Sequence, residues 1–162
     1  MDTREKIVSR QGLFEILEEH RRSRRKIVFA NGVFDLLHVG HVRYLEAARA
    51  EGDLLVVGIN SDSSTRKLKG NGRPILTERA RASLVAALRA VDYVVIFDDP
   101  DVNALLKELE PDVHAKGTDY TVDTVPEREL AALLGIRVAI VGDPKHHSTR
   151  DLLARLRHRN DA

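Results

Sequence analysis

Short apolar runs closed by turn-forming residues recur along the chain, separated by segments of helical spacing. The runs are KIVFAN (26–31), DLLVVGIN (53–60), DYVVIF (92–97), DVHAKG (112–117) and IRVAIVGD (136–143). They are apolar almost throughout rather than at alternate positions, the mark of strands buried on both faces of a parallel sheet. Between them, VRYLEAARAEG (42–52) places Leu45, Ala48 and Arg49 after Val42 at helical spacing, with Gly52 as the expected stop. TERARASLVAALRAV (77–91) starts with Thr77 as N-cap, and Ala80, Leu84, Ala87, Leu88 and Val91 form its apolar stripe. DVNALLKELEP (101–111) ends at a proline. PERELAALLG (126–135) opens with Pro126 and closes with Gly135. STRDLLARLRHR (148–159) is a final helix capped by Ser148, and one more helix near 10–21 precedes the first strand.

Strand–helix–strand repetition implies right-handed crossovers. The expected fold is α/β: a single-domain, Rossmann-like, doubly wound parallel sheet of about five strands with helices on both faces. The whole chain, 1–162, reads as one domain, with 1–25 as an N-terminal helical extension and 26–158 as the core. Two connections, 61–76 and 117–126, are too long for simple turns, and long loops in compact α/β domains tend to be functional. Both follow strands, so they lie at the carboxyl edge of the sheet, where ligands bind in such folds.

Composition narrows the function. The 162 residues carry a formal charge of +1, which argues against a protein built to coat nucleic acid. There is no cysteine, so disulfides and thiolate metal sites are excluded. The N-terminus lacks the apolar core of a signal peptide, and no run reaches the ~18 residues of a membrane span. The expected location is the cytoplasm, with no membrane partner. RRSRRK (21–26) is basic, but no aromatics interleave with it, so a solvated connector is favoured over a nucleic-acid contact.

The chemistry concentrates in FANGVFDLLHVGH (29–41). A strand ends there, Gly32 opens the backbone to a ligand, and a helix begins near His38. His38 and His41 are three apart and share a face of the first helical turn, with Gly40 between them. Free N–H groups and the positive end of a helix lie beside them. Two imidazoles and exposed amides over one cavity suit a polyphosphate, because imidazole donates to phosphate oxygens and gains charge when an anion arrives. Satisfied surface histidines are the bland alternative. A metal site lacks a third ligand nearby in sequence, and no HExxH pattern occurs.

GVFDLLHVGH resembles the HxGH signature of the nucleotidyltransferase superfamily. The longer series FANGVFDLLHVGHVRYLEAARAEGDLLVVGINSDSSTRKLKGNGRPI, ERA, ALRAVDYVVIF, PDVHAKGTDY and a late HST is similar to the heptose-1-phosphate adenylyltransferases that make ADP-heptose. In many bacteria that activity is half of a bifunctional kinase–adenylyltransferase; here it is expected to stand alone. The resemblance implies attack of a sugar 1-phosphate oxygen on the α-phosphorus of ATP, releasing pyrophosphate. It implies Mg²⁺ held mainly by substrate phosphates, no dedicated protein metal site, and a homo-oligomer, dimer or higher. Relatives use CTP with glycerol 3-phosphate or ATP with FMN, so another acceptor stays open, as does a non-catalytic nucleotide-binding protein.

Carried over residue by residue, the resemblance implies that His38, His41 and Lys69 serve the transferring phosphate. Asn31, Gly32, Val33, Phe34, Gly40, Lys116, Gly117 and Asp119 would surround the nucleotide. Val33 stands where relatives often carry Cys or Thr, so it offers no side-chain contact. Ser148 and Thr149 match hydroxyls that bind the β- and γ-phosphates. Arg150, His146 and His147 depart from the pattern beside them. Lys67 and Arg73, in the cationic loop STRKLKGNGRP, would meet the sugar phosphate. Two roles stay open for Asp35, holding the loop through backbone N–H groups or meeting the acceptor. Asp62 binds sugar hydroxyls or forms an Asx turn. Arg79 is structural or functional with equal weight. Lys116 is out of place in a buried strand and needs an anion or water, and Tyr120 is favoured as cover for the pocket.

Overall fold

A computed structural model describes residues 1–144 and 152–156. Five parallel strands form one sheet: β1 (Ile27–Gly32), β2 (Leu54–Asn60), β3 (Tyr93–Phe97), β4 (Val113–Gly117) and β5 (Arg137–Val141). Their order is β3-β2-β1-β4-β5. The chain winds outward from β1 to β3, then returns to the other side of β1 for β4 and β5. The switch point therefore lies between β1 and β4, and its carboxyl edge is where ligands bind in sheets of this kind. Each strand falls within a residue or two of its expected bounds.

Successive side chains point to opposite faces, so each strand feeds two cores. Val28 and Ala30 of β1 join one cluster, with Leu45 of α2 (Val39–Arg49) and Val85 of α4 (Glu78–Ala86). Ile27 and Phe29 join the other, with Leu13 and Leu17 of α1 (Arg10–Arg22), Leu105 and Leu106 of α5 (Asn103–Leu109) and Ala131 of α6 (Arg128–Leu133). The sheet is doubly wound as expected. The N-terminal segment shares in this packing: residues beside Ile7 pair with Val94 on the β3 edge, and Ser9 caps α1 by accepting from the Gly12 amide.

From the basic run, Arg21 ties α1 to the end of α5 by donating to the Leu109 carbonyl, and Arg25 reaches the start of β2. Arg21 pairs with Glu18 at 2.6 Å, and Arg25 donates to the Asp53 carbonyl at 3.0 Å. Gly135 takes φ 72° behind α6, and the Ile136 and Gly135 amides return to the Ala131 and Ala132 carbonyls, the 6→1 and 5→2 bonds of a Schellman stop.

Three expectations change. The 61–76 loop is half helix: α3 runs Asp62–Lys69, capped by Ser61, which accepts from the Ser64 amide at 3.0 Å. Its buried residues are Ser64 and Thr65, so no apolar stripe announces it. In α4, Thr77 is the cap as expected, but the buried face is Arg81, Ala82, Val85 and Ala86. Leu84 and Ala87 face solvent, and the helix ends at Ala86, short of Leu88 and Val91. Gly52 is not the stop of α2, which ends at Arg49. A Cβ on Gly52 would sit 2.7 Å from the Lys26 carbonyl oxygen, so close backbone approach requires the glycine.

The 117–126 connection holds a 3₁₀ turn over Val122–Thr124. Residues 152–156 are helical, inside the expected final helix. Its cap Ser148, together with Thr149, His146, His147 and Arg150, lies outside the described residues. Among the described residues no helix is long and apolar enough to cross a membrane.

Candidate active site

β1 delivers Asn31 and Gly32 to the switch point, and the chain then turns through residues 33–37 into α2. Phe34 adopts φ 51°, a left-handed conformation that costs a non-glycine residue about 1–3 kcal/mol and clusters at functional sites. The turn folds the buried Phe34 ring back beneath the loop. A Cβ on Gly32 would meet that ring at 3.0 Å. Gly32 is therefore required by Phe34, a reason that differs from the ligand access expected of it.

His38 is the N-cap of α2, and His41 lies in its first turn. Their rings stack with centroids 3.8 Å apart and 28° between planes. Phe34 abuts His41 edge-on at 5.2 Å. The His38 amide lies 3.4 Å from His41 Nδ1, a long contact in which that nitrogen accepts. That contact favours the His41 tautomer with its proton on Nε2. Gly40 sits between them in the same turn. The pair shares one face of the helix start, as its spacing predicts.

Asp35 is fully enclosed below this loop; its side chain is 1% exposed. Its oxygens accept from the Ile75 amide at 2.9 Å, the Leu76 amide at 2.9 Å and Arg73 Nε at 2.6 Å. Of its two open roles, these contacts satisfy the loop-holding one. They clamp residues 73–76 against the site. Burial alone would push the Asp35 carboxyl up, but the two amides and the guanidinium outweigh it and hold the group below its usual range. Its charge therefore contributes stability above the unfolded pKa of about 3.9, which is lost as pH falls through the folded value. Asp35→Asn is expected to cost about 1–3 kcal/mol at pH 7. Urea unfolding should show the gap to wild type shrinking below about pH 4; a gap that persists unchanged at pH 3 would contradict the assignment.

The buried arginine of α4 is Arg81, not Arg79. Arg81 donates to the Val33 carbonyl at 2.6 Å, the Leu76 carbonyl at 3.1 Å and Asp62 at 2.9 Å. Asp62 is thus an ion-pair partner within the framework, which neither of its expected roles described. Lys67 and Lys69 project from the last turn of α3 and are exposed. Lys67 acts electrostatically on Asp98, which hydrogen bonds from Ser61 and Ser63 hold below the usual carboxylate range.

At β4, Lys116 has the anion its burial demands: Glu127 lies 3.2 Å away, and both side chains are below a tenth exposed. Lys116 also lies 5.2 Å from the centre of the Tyr120 ring, so Tyr120 covers it. Its ammonium approaches Asn31 Oδ1 at 3.4 Å. Gly117 ends β4, and a Cβ there would meet nothing within 4 Å, so neither packing nor a positive φ calls for a glycine. Asp119 follows in the turn beyond it. Sequence reasoning missed Glu127, Arg81 and His114. His114 is fully buried in β4, with Nε2 3.0 Å from Asn31 Oδ1. Among the described residues, no three His, Asp or Glu side chains gather to hold a metal.

A parallel α/β sheet with stacked imidazoles at the helix start over its switch point defines a nucleotidyltransferase-like domain. The cytidylyltransferase-like family model matches residues 29–156, and the chain belongs to that family. It is 47% identical over 151 residues to the bifunctional protein HldE of Syntrophotalea carbinolica, covering 93% of this chain and 31% of that protein. The HldE of Rhodopseudomonas palustris is 49% identical over 152 residues, again covering 93% and 31%. The chain thus spans about a third of the length of these curated relatives. The crystal structure of a lipopolysaccharide core biosynthesis protein from Thermoplasma volcanium superposes with a TM-score of 0.63 at 31% identity, covering 75% of this chain and 99% of that one.

Proposed function

We propose that the chain is an adenylyltransferase that joins AMP from ATP to a heptose 1-phosphate, giving ADP-heptose and pyrophosphate. The observation that carries this reading is the stacked His38–His41 pair at the N-terminus of α2. The likeness to HldE proteins and to a lipopolysaccharide core biosynthesis protein supports the sugar.

In this reaction the sugar 1-phosphate oxygen forms the new bond to the α-phosphorus. The bond from that phosphorus to the bridging α–β oxygen breaks, and pyrophosphate leaves with the electron pair. Such displacements need in-line positioning and charge stabilisation more than covalent help. His38 and His41 donate to triphosphate oxygens, where charge builds up in the transition state. Lys69 swings from the end of α3 to the transferring phosphate. Lys67 and the outer edge of Arg73 receive the sugar phosphate. Asn31, Lys116, Gly117 and Asp119 line the nucleoside side, and Ser148 with Thr149 holds the β- and γ-phosphates. The site is rich in nitrogen donors, and the Asp35 carboxylate is already taken by Arg73 and two amides. Mg²⁺ would therefore ride on phosphate oxygens and water, neutralising charge there.

A second reading, cytidylyl transfer, is favoured by the description of the matching family model. Pyrophosphate release measured with ATP and CTP against phosphorylated acceptors separates the two. ATP with heptose 1-phosphate is expected to give the highest kcat/KM, and Lys69→Ala to lower it about a hundredfold, as loss of one transition-state cation does. Preference for CTP, or no release with any sugar phosphate, would defeat the proposal.

A further inference from the structure

We propose that His114 is the positioning residue that orients Asn31 so that its amide N–H₂ faces an acceptor atom of the bound nucleoside. The inference rests on the nucleotide-binding reading above and adds a device which that reading does not contain.

The geometry begins with Asn31 Oδ1, which meets two groups: His114 Nε2 at 3.0 Å and Lys116 Nζ at 3.4 Å. An ammonium only donates, so the atom facing Lys116 must be the oxygen. His114 is fully buried, tilted on Phe29 at 5.7 Å, and its Nδ1 has no partner among the described residues. A proton on Nδ1 would leave a buried donor unmade and would set the bare Nε2 against a carbonyl oxygen. The proton therefore belongs on Nε2, which donates to Asn31. Burial, and then the Lys116 charge, hold His114 down at about 3, so the ring is neutral and this single donor persists.

Two donors on one oxygen fix the carboxamide against a flip. Nδ2 then has no partner among the described residues, and it is not among the buried polar atoms. It reaches solvent at the carboxyl end of β1, one residue before Gly32, on the sheet face that Phe29, His114 and Lys116 share. A pair of N–H donors placed there calls for an acceptor, and a ribose oxygen or a base oxygen or ring nitrogen of the bound nucleoside supplies one. A histidine at this place carries a structural penalty, because Nδ1 is buried without a partner among the described residues. An apolar residue would pack there more cheaply, so the hydrogen bond to Asn31 is what the imidazole adds.

The test is a double-mutant cycle read by ATP titration calorimetry without acceptor, with melting temperature alongside. His114→Leu is expected to weaken ATP binding about tenfold while the protein melts at or above the wild-type temperature. In the Asn31→Ala background the same change is expected to have less than a twofold effect. His114→Gln, whose amide N–H reaches a similar distance, is expected to recover at least half of the lost affinity. Unchanged ATP affinity in His114→Leu would overturn the inference, as would a tenfold loss that persists without Asn31. Turnover with heptose 1-phosphate is scored separately. Its absence in a wild type that binds ATP would sink the adenylyltransferase reading alone, and equal ATP affinities would sink this one alone.

Discussion

His41→Ala is expected to lower kcat with ATP and heptose 1-phosphate by about 10²- to 10³-fold, the cost of removing one preorganised donor from a developing oxyanion. That is about 2.7–4 kcal/mol of transition-state stabilisation. The ring is half-buried and held on two sides, by the His38 stack at 3.8 Å and the Phe34 edge at 5.2 Å. It is therefore aimed before the substrate arrives, and little reorganisation opposes it. In the role proposed for His41, the interaction would strengthen as charge moves onto the phosphate oxygens, so kcat should fall far more than KM rises. The fold should tolerate the change: His41 belongs to neither apolar core, and alanine is a good helix residue at this position. Steady-state kinetics and a thermal melt check both halves. A well-folded His41→Ala protein with near-normal kcat would remove the imidazole pair from the chemistry. His41→Gln offers an N–H near the Nε2 position and should retain more activity than alanine, which separates hydrogen-bond donation from mere filling of space.

The strands are legible in the sequence because each is buried on both faces, and burial of that kind writes itself as an unbroken apolar run. The imidazole pair is legible because a spacing of three on a helix start needs no tertiary information. What stays hidden depends on partners distant in sequence. Asp35 is set by amides 40 and 41 residues away, and His114 by an asparagine 83 residues away. Within a strand run, the histidine of DVHAKG looks like a flaw in the apolar pattern. The helix α3 is hidden because polar residues, Ser64 and Thr65, form its buried side. In α4 the polar character of arginine conceals the true inner face, and the apolar stripe runs instead through Leu84, which is 44% exposed. Apolar periodicity finds helices that bury hydrocarbon; it is blind to one that buries hydrogen bonds.

Arg81 turns that blindness into a large expected effect. Its guanidinium remains charged at any pH a protein survives, so it cannot escape burial by losing its proton. With a side-chain exposure of 0%, it is stable only because its donors are met by Asp62 and by the Val33 and Leu76 carbonyls. These partners belong to three different segments: the start of α3, the turn after β1 that carries Phe34, and the approach to α4. Arg81→Met keeps the hydrocarbon volume but leaves two carbonyls and a carboxylate without their donor. Breaking a buried pair on one side costs about 3–5 kcal/mol. For a chain of this length that corresponds to a fall of about 10 °C in melting temperature. The neighbour outside the buried face supplies the control, since Arg79→Met should stay within about 0.5 kcal/mol of wild type. Asp62→Asn should be costly in the wild-type background and nearly silent beside Arg81→Met, because the two share one interaction. Equal melting temperatures for the Arg79 and Arg81 variants would mean that the network does not hold the turn. Should the Arg81 variant melt early as expected, its activity below the transition should also fall, since the Val33 carbonyl it anchors lies one residue before Phe34, on which His41 rests.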